Sequence, residues 1–151
     1  MREMTLTDLE AVAAIEQAVQ AHPWKLSQFA DSIAAGHVCL VDEADGGIRG
    51  YAVLMPALET ADVLTIAVAP GHQRQGLGRS LLSAMRDWGR SHGVQRIFLE
   101  VRESNAPAIA LYRSSGFRQI ARRGGYYRTA EGTEDAFVMC HELTALEYAC
   151  E

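Results

Sequence analysis

Two groups of residues in this chain could do chemistry: donors gathered at one helix start, and an acid and a phenol further on. The donors lie in Val68-Ala69-Pro70-Gly71-His72-Gln73-Arg74-Gln75-Gly76-Leu77-Gly78-Arg79-Ser80, a strand end, a turn and the start of an amphipathic helix. The first N–H groups of a helix lack internal acceptors and sit at the positive end of its dipole, so a helix start is an anion site. Gly76 and Gly78 have no Cβ, which lets a pyrophosphate approach the backbone closely. Arg74 and Arg79 add positive charge around it. A P-loop would need a lysine after its second glycine, and none stands here. A Rossmann fingerprint would need a third glycine where Leu81 stands. The pattern that fits is Q/R-x-x-G-x-G/A, on Gln73, Gly76 and Gly78. An ordinary glycine-containing helix entry is the alternative.

Glu100 interrupts the apolar run Ile97-Phe98-Leu99-Glu100-Val101, whose composition predicts a buried strand. A carboxylate there is costly unless paired or functional. Strand alternation equally allows Glu100 to face solvent. Tyr112 stands seven residues beyond Asn105, two turns along one helix and on roughly the same face. By residue type alone it fits a core aromatic as well as a proton donor. Cys140 has no Cys-His signature for covalent catalysis. His22, His37, His72, His92 and His141 are scattered without ligand spacing, so no metal is expected.

Thr7 and Glu10 read as a capping box, and Leu9, Val12, Ala13, Ile15, Ala18 and Val19 place a first helix to about Ala21. His22-Pro23-Trp24 breaks it, and a second helix covers Leu26 to Ala35, stopped by Gly36. Val38–Val41 is a strand, Asp45-Gly46-Gly47 a hairpin turn, and Ile48–Pro56 the return, ended by Pro56. Asp62–Val68 is a third strand. Leu77, Leu81, Leu82, Met85 and Trp88 share a face of a helix from about Gly76 to Ser91, closed by Gly93. Then come a strand at Ile97–Val101, a helix at Asn105–Ser114, a short strand at Phe117–Ala121, a polar loop reaching Asp135 and a last strand at Ala136–Cys140. The order ααβββαβαββ predicts an α/β (α+β) sandwich. Residues 1–143 are expected to form one domain and 144–151 a loosely held tail.

The length suits a single domain with a full core. Hydrophobic residues make up 48%, which excludes disorder. Of three cysteines, Cys39 and Cys140 read as reduced core filler and Cys150 as an exposed thiol, an uneven set that makes no disulfide framework. The start Met1-Arg2-Glu3-Met4-Thr5 has no signal-peptide run, and no stretch is apolar enough to span a bilayer. A cytoplasmic protein with no membrane partner is expected, as a monomer or weak dimer. The net charge of −5 argues against nucleic acid and suits an amine or basic peptide.

With these residues in view, the chain resembles the GNAT (Gcn5-related N-acetyltransferase) superfamily. The resemblance lies in Gln73-Arg74-Gln75-Gly76-Leu77-Gly78 after strand Leu64–Val68, in Leu99-Glu100-Val101-Arg102-Glu103-Ser104-Asn105 running on to Tyr112, and in Gly116-Phe117. His22-Pro23-Trp24, Gly125-Tyr126-Tyr127 and Glu134-Asp135-Ala136 are similar to its RimI-type group, which acetylates the N-terminal alanine of a small-subunit ribosomal protein. The resemblance implies a mixed sheet of about six to seven strands with about four helices, splayed between its two central strands. It implies acetyl-CoA as co-substrate. The backbone of Ile66, Ala67 and Val68 would pair with the pantetheine arm, and an N–H near Val68 would meet the thioester oxygen. Arg74, Gln75, Gly76, Leu77, Gly78 and Arg79 would hold the pyrophosphate, and Asn105 the cofactor arm. Glu100 would be the general base and Tyr112 the general acid. Tyr126 and Tyr127 would grip an extended peptide, with Glu103, Glu134 and Asp135 attracting its basic residues. The implied partner is the N-terminal peptide of a ribosomal small-subunit protein or a similar basic peptide. Acetylation of a small-molecule amine or a lysine side chain, and a non-catalytic acyl-CoA-binding module, are the competing readings.

Overall fold

The computed structural model describes residues 1–143; the expected tail, 144–151, and Cys150 lie outside the described residues. Arg2–Glu3 (β1) opens the chain, and Leu9–Val19 (α1) follows. The helix is entered earlier than the expected cap at Thr7. A 3-10 turn, Leu6–Asp8, precedes it, and the Thr5 N–H donates to Asp8 Oδ2 at 2.8 Å. The shift has a physical cause. Asp8 also takes both guanidinium N–H groups of Arg2, each at 2.8 Å, so a carboxylate closes the turn. Arg2, followed by burial and the Thr5 amide, sets the Asp8 carboxyl, which is held down to about 2.

Leu26–Ala34 (α2) ends at Gly36, whose φ of 80° lies in the left-handed region. Asp45 and Gly46, at φ 54° and 78°, make the tight turn between Val38–Ala44 (β2) and Gly47–Ala57 (β3). These strands pair antiparallel, Val38 opposite Leu54 and Ala44 opposite Gly47. Pro56 does not end β3, which takes in Ala57 as well. Thr60–Val68 (β4) follows, then Leu77–Ser91 (α3), Arg96–Arg102 (β5), Ala106–Ser114 (α4), Arg118–Thr129 (β6) and Gly132–Glu142 (β7). The strands form a seven-stranded mixed sheet in the order β1-β2-β3-β4-β5-β7-β6, with β4 and β5 parallel.

The chain divides into two units. The first holds Met1–Pro56 and Leu64–Met85. Its core is Leu9, Val12, Ile15, Phe29, Val41, Tyr51 and Val53, each fully or almost fully buried. Trp24, Phe29 and Tyr51 stack in series, with ring centroids 5.1 and 5.5 Å apart. Leu81, Leu82 and Met85 are the buried face of α3, each worth roughly 1.5–3 kcal/mol of burial. Gly50 allows β3 and β4 to approach closely: a Cβ there would lie 2.9 Å from the Ala67 carbonyl oxygen.

Within this core lies a carboxylate that the sequence reading missed. Glu16, on α1, is 2% exposed. It accepts the Tyr51 hydroxyl at 2.6 Å, the Thr65 hydroxyl at 2.9 Å and the Trp24 N–H at 2.9 Å. The last bond pins the turn between α1 and α2.

The second unit holds Ala57–Val63 and the chain from Arg86. Thr60–Asp62 pair in parallel with Arg96–Phe98, a ladder of three residues, while β5 runs on to Arg102. β5 pairs antiparallel with β7, Arg96 opposite Glu142 through Arg102 opposite Ala136. Cys140 is buried in this unit, as Cys39 is in the first. The segment 122–135 corrects the expected loop. β6 is twelve residues long and pairs with β7 down to Thr129 opposite Gly132. Gly124 and Gly125 mark an irregularity between Arg123 and Tyr127 in this hairpin, with Gly125 at φ 62°.

Candidate active site

In the first unit, β4 alternates: Thr65 and Ala67 are buried, and Leu64, Ile66 and Val68 are half-buried. Beyond it Pro70–His72 make a 3-10 turn, and the Gln73 side chain donates to the Val68 carbonyl at 3.1 Å. Gln73 thus ties the turn to the strand end. Arg74 at φ 64° and Gly76 at φ 81° are both left-handed. For arginine this conformation costs about 1–2 kcal/mol. The sequence offered no sign of it. The Gly76 carbonyl accepts the Ser80 N–H at 3.0 Å and its hydroxyl at 3.1 Å. The amides of Leu77, Gly78 and Arg79 therefore precede the first intrahelical bond. Gln73, Arg74, Gln75, Gly76 and Arg79 are exposed, and a Cβ at Gly76 would meet nothing within 4 Å. The turn that leads into these amides is thus open to solvent.

In the second unit, Ile97, Leu99 and Val101 of β5 are buried, and Phe98, Glu100 and Arg102 face the half-exposed side. This corrects the expectation that Glu100 is buried: the apolar run alternates rather than sinking both faces. The Glu100 side chain is 27% exposed, and Arg123 Nη1 stands 3.5 Å from its Oε1. Its charge reaches three neighbours. Hydrogen bonding to Glu100, ahead of burial, pushes the Tyr126 phenol up. Burial, followed by Glu100, pushes Tyr127 up, and also Asp62, a carboxylate the sequence analysis had not singled out. Asp62 is paired in register with Phe98, two residues from Glu100 on the same face.

Tyr112 is 9% exposed, its ring 6.0 Å from that of Phe117. Burial first and Tyr127 second push its phenol up to about 12. Tyr127 is thus influenced by the Glu100 charge, and Tyr112 in turn by Tyr127. Asn105 caps α4, its side-chain oxygen accepting the Ala108 N–H at 3.3 Å. Capping therefore falls to Asn105 and not to Ser104, the other residue able to do it.

The acids expected to attract a basic peptide are already engaged. Glu103 pairs with Arg122, whose Nε also lies 2.9 Å from Asp135 Oδ2. Asp135 Oδ1 takes the Gly125 N–H at 2.9 Å. Glu134 pairs with Arg102 at 3.2 Å and accepts the Ser104 N–H at 3.0 Å. The Ser104 bond, ahead of Arg102, lowers the Glu134 carboxyl. The rim rings carry cations as well: the Arg102 guanidinium lies 4.3 Å from the Tyr127 centroid, and that of Arg123 5.3 Å from Tyr126. Among the described residues, no group of three or more His, Cys, Asp or Glu could hold a metal ion. No described helix is long and apolar enough to cross a membrane.

The [ribosomal protein bS18]-alanine N-acetyltransferase of Escherichia coli K12 is 42% identical over 133 residues, 88% of this chain and 90% of that protein. The crystal structure of the ribosomal-protein-S18-alanine N-acetyltransferase from Escherichia coli superposes with a TM-score of 0.88 at 39% identity, covering 94% of this chain and 92% of that one. YncA of Salmonella typhimurium, solved with its cofactor acetyl-CoA, matches with a TM-score of 0.80 at 26% identity, over 94% of this chain and 92% of its own. The model of the acetyltransferase (GNAT) family matches residues 4–117, which take in the glycine turn, Glu100 and Tyr112. By that match and these relatives, the chain belongs to the GNAT acetyltransferase family.

Proposed function

We propose that this acetyltransferase moves the acetyl group of acetyl-CoA to the α-amino group of an N-terminal alanine on a small-subunit ribosomal protein, in the cytoplasm. The observation that carries the acceptor is the 42% identity to relatives that act on alanine of bS18. Residues 1–143 are proposed as the catalytic domain.

The exposed turn supports the cofactor assignment. Amides from Gln75 to Arg79, with the Arg74 and Arg79 guanidinium groups, would take the pyrophosphate. The Ile66–Val68 backbone would pair with the pantetheine amides, as an added strand does, and Asn105 would bond the same arm. The Val68 N–H would face the thioester oxygen and stabilise it as charge builds there. Tyr126 and Tyr127 would line the peptide path. Glu103, Glu134 and Asp135 would meet its basic residues by exchanging partners with Arg122 and Arg102.

An α-amino group has a pKa of about 7.7–8.0, so a useful fraction is neutral at pH 7, unlike a lysine amine at about 10.4. A carboxylate base is enough for such an acceptor. The amine attacks the acetyl carbon while Glu100 takes its proton. The carbon–sulfur bond breaks, and Tyr112 supplies the proton that the sulfur gains. Tyr112 then recovers one from solvent, and Glu100 returns its own. Burial keeps the Tyr112 phenol protonated at neutral pH, the form a general acid starts from, while making it a weaker acid than a free tyrosine.

Labelled acetyl-CoA offered with Ala-initiated and lysine-containing peptides tests this. Label on the N-terminal alanine and none on internal lysines is expected. Label on lysines or small amines alone would move the acceptor class. Binding of acetyl-CoA without transfer to any amine would make the chain a non-catalytic module.

A further inference from the structure

Two facts about Glu100 conflict with a base waiting for an amine. Its carboxylate is paired with Arg123 Nη1 at 3.5 Å, and the same guanidinium stands over the Tyr126 ring at 5.3 Å. A peptide N-terminus at neutral pH is mostly a cation too. An arriving ammonium would compete with Arg123 for this half-exposed carboxylate, which Tyr126 also approaches.

The backbone around Arg123 suits a residue that moves. Arg123 is opposite Ala136, and the register breaks directly after it and resumes only at Tyr127 opposite Glu134. Gly124 and Gly125 fill the break, and a Cβ at Gly124 would meet nothing nearer than 3.8 Å. The Arg123 side chain is 55% exposed, so it can swing into water. Arg122 is held differently, by Glu103 and Asp135 together, and Arg102 by Glu134 under the Tyr127 ring. Of Arg102, Arg122 and Arg123, it is Arg123 whose ion-pair partner is the proposed base.

We propose that Arg123 is a stand-in for the substrate ammonium: it occupies the Glu100 carboxylate in the free enzyme and is displaced when the peptide N-terminus arrives. This rests on Glu100 being the base. Arg123 is then a positioning residue that sets how readily an amine enters. An acetylated N-terminus can carry no proton and cannot hold Arg123 away, so the device also favours release of the product. The competition raises the apparent Kd for the amine by the reciprocal of the fraction of enzyme in the unpaired state. For a solvent-screened pair that is about two- to sixfold.

The experiment measures steady-state kinetics of Arg123→Gln and Arg123→Lys with an Ala-initiated peptide free of other cations, beside thermal melts of each variant. Arg123→Gln should lower KM for the peptide about two- to sixfold with kcat within twofold, and Arg123→Lys should restore the original KM. Calorimetric affinity for an N-acetylated peptide carrying one internal lysine, matched in charge, should be equal in both proteins. A peptide KM unchanged or raised in a variant with an unaltered melt overturns the proposal. So does equal tightening of the N-acetylated peptide, since general electrostatics would then explain the effect. Wild-type protein that acetylates no peptide at all overturns the acceptor reading and this inference together.

Discussion

Removing one hydroxyl from the core, by Tyr51→Phe, tests whether the Glu16 network holds the first unit together. Tyr51 is fully buried and donates at 2.6 Å to Glu16, which Thr65 and Trp24 also reach at 2.9 Å each. Burial, and then Glu16 itself, push the Tyr51 phenol far up, so the proton stays on the tyrosine and the bond is a phenol donating to a carboxylate. Phenylalanine keeps the ring and opens no cavity beyond the lost oxygen. What disappears is one hydrogen bond to a charged acceptor, worth about 1.5–3 kcal/mol. For a chain of this length each kcal/mol moves Tm by about 2–4 °C, so the midpoint should fall by roughly 3–12 °C. Urea unfolding at pH 7 gives the free energy directly, and a cycle with Thr65→Val should show coupling, since both hydroxyls serve the same oxygen, Glu16 Oε1. A loss below about 0.5 kcal/mol, with no coupling, would refute the reasoning and leave the carboxylate adequately held without either hydroxyl.

Tyr112→Phe should cut kcat by about 10²–10⁴-fold, the usual worth of a general acid, with acetyl-CoA affinity by calorimetry nearly unchanged; undiminished turnover would remove Tyr112 from the mechanism. Gly76→Ala, forced to φ 81° in otherwise open space, should cost about 1 kcal/mol and weaken acetyl-CoA binding, which titration calorimetry reads. Tyr112 and Cys39 have folded pKa values raised to about 12 and about 11, so their contributions are complete below the unfolded values of 10.0 and 9.0 and are lost as pH rises through the folded ones. An alkaline unfolding titration should therefore shift upward in Tyr112→Phe. Asp8 behaves in the opposite sense: its contribution is complete above pH 3.8 and lost as pH falls toward about 2, so Asp8→Asn should flatten that part of the acid unfolding curve.

Much of this architecture was legible because its signals are local. Asp45-Gly46, Gly36 and Gly93 mark turns that need left-handed backbone, and all three glycines adopt it. The apolar spacing of α3 picked out Leu81, Leu82 and Met85, which are buried. The glycine turn was recognisable because two glycines and two arginines sit at one helix start. What escaped depends on tertiary partners. Thr7 and Glu10 spell a capping box, but Arg2 draws Asp8 into the role from outside the helix. Polar, glycine-bearing residues 122–135 read as a loop because the strand face they form is nearly all exposed, leaving no apolar alternation to detect. Glu16 looks like any helix-surface glutamate until Tyr51 and Thr65, far along the chain, are placed beside it. Glu100 was singled out for a partly mistaken reason: the run around it alternates, which leaves its side chain half-exposed.

Position 50 lies on a strand that touches no proposed ligand, yet a single methyl group there would be felt where the thioester is to be read. Its added carbon would press on the carbonyl of Ala67, midway between the two residues whose amides are to line the pantetheine. The backbone proposed to hold the pantetheine would thus depend on a neighbour that takes no part in the chemistry. Substitution should therefore be costly at that silent site, as it is at Gly76 in the turn beyond.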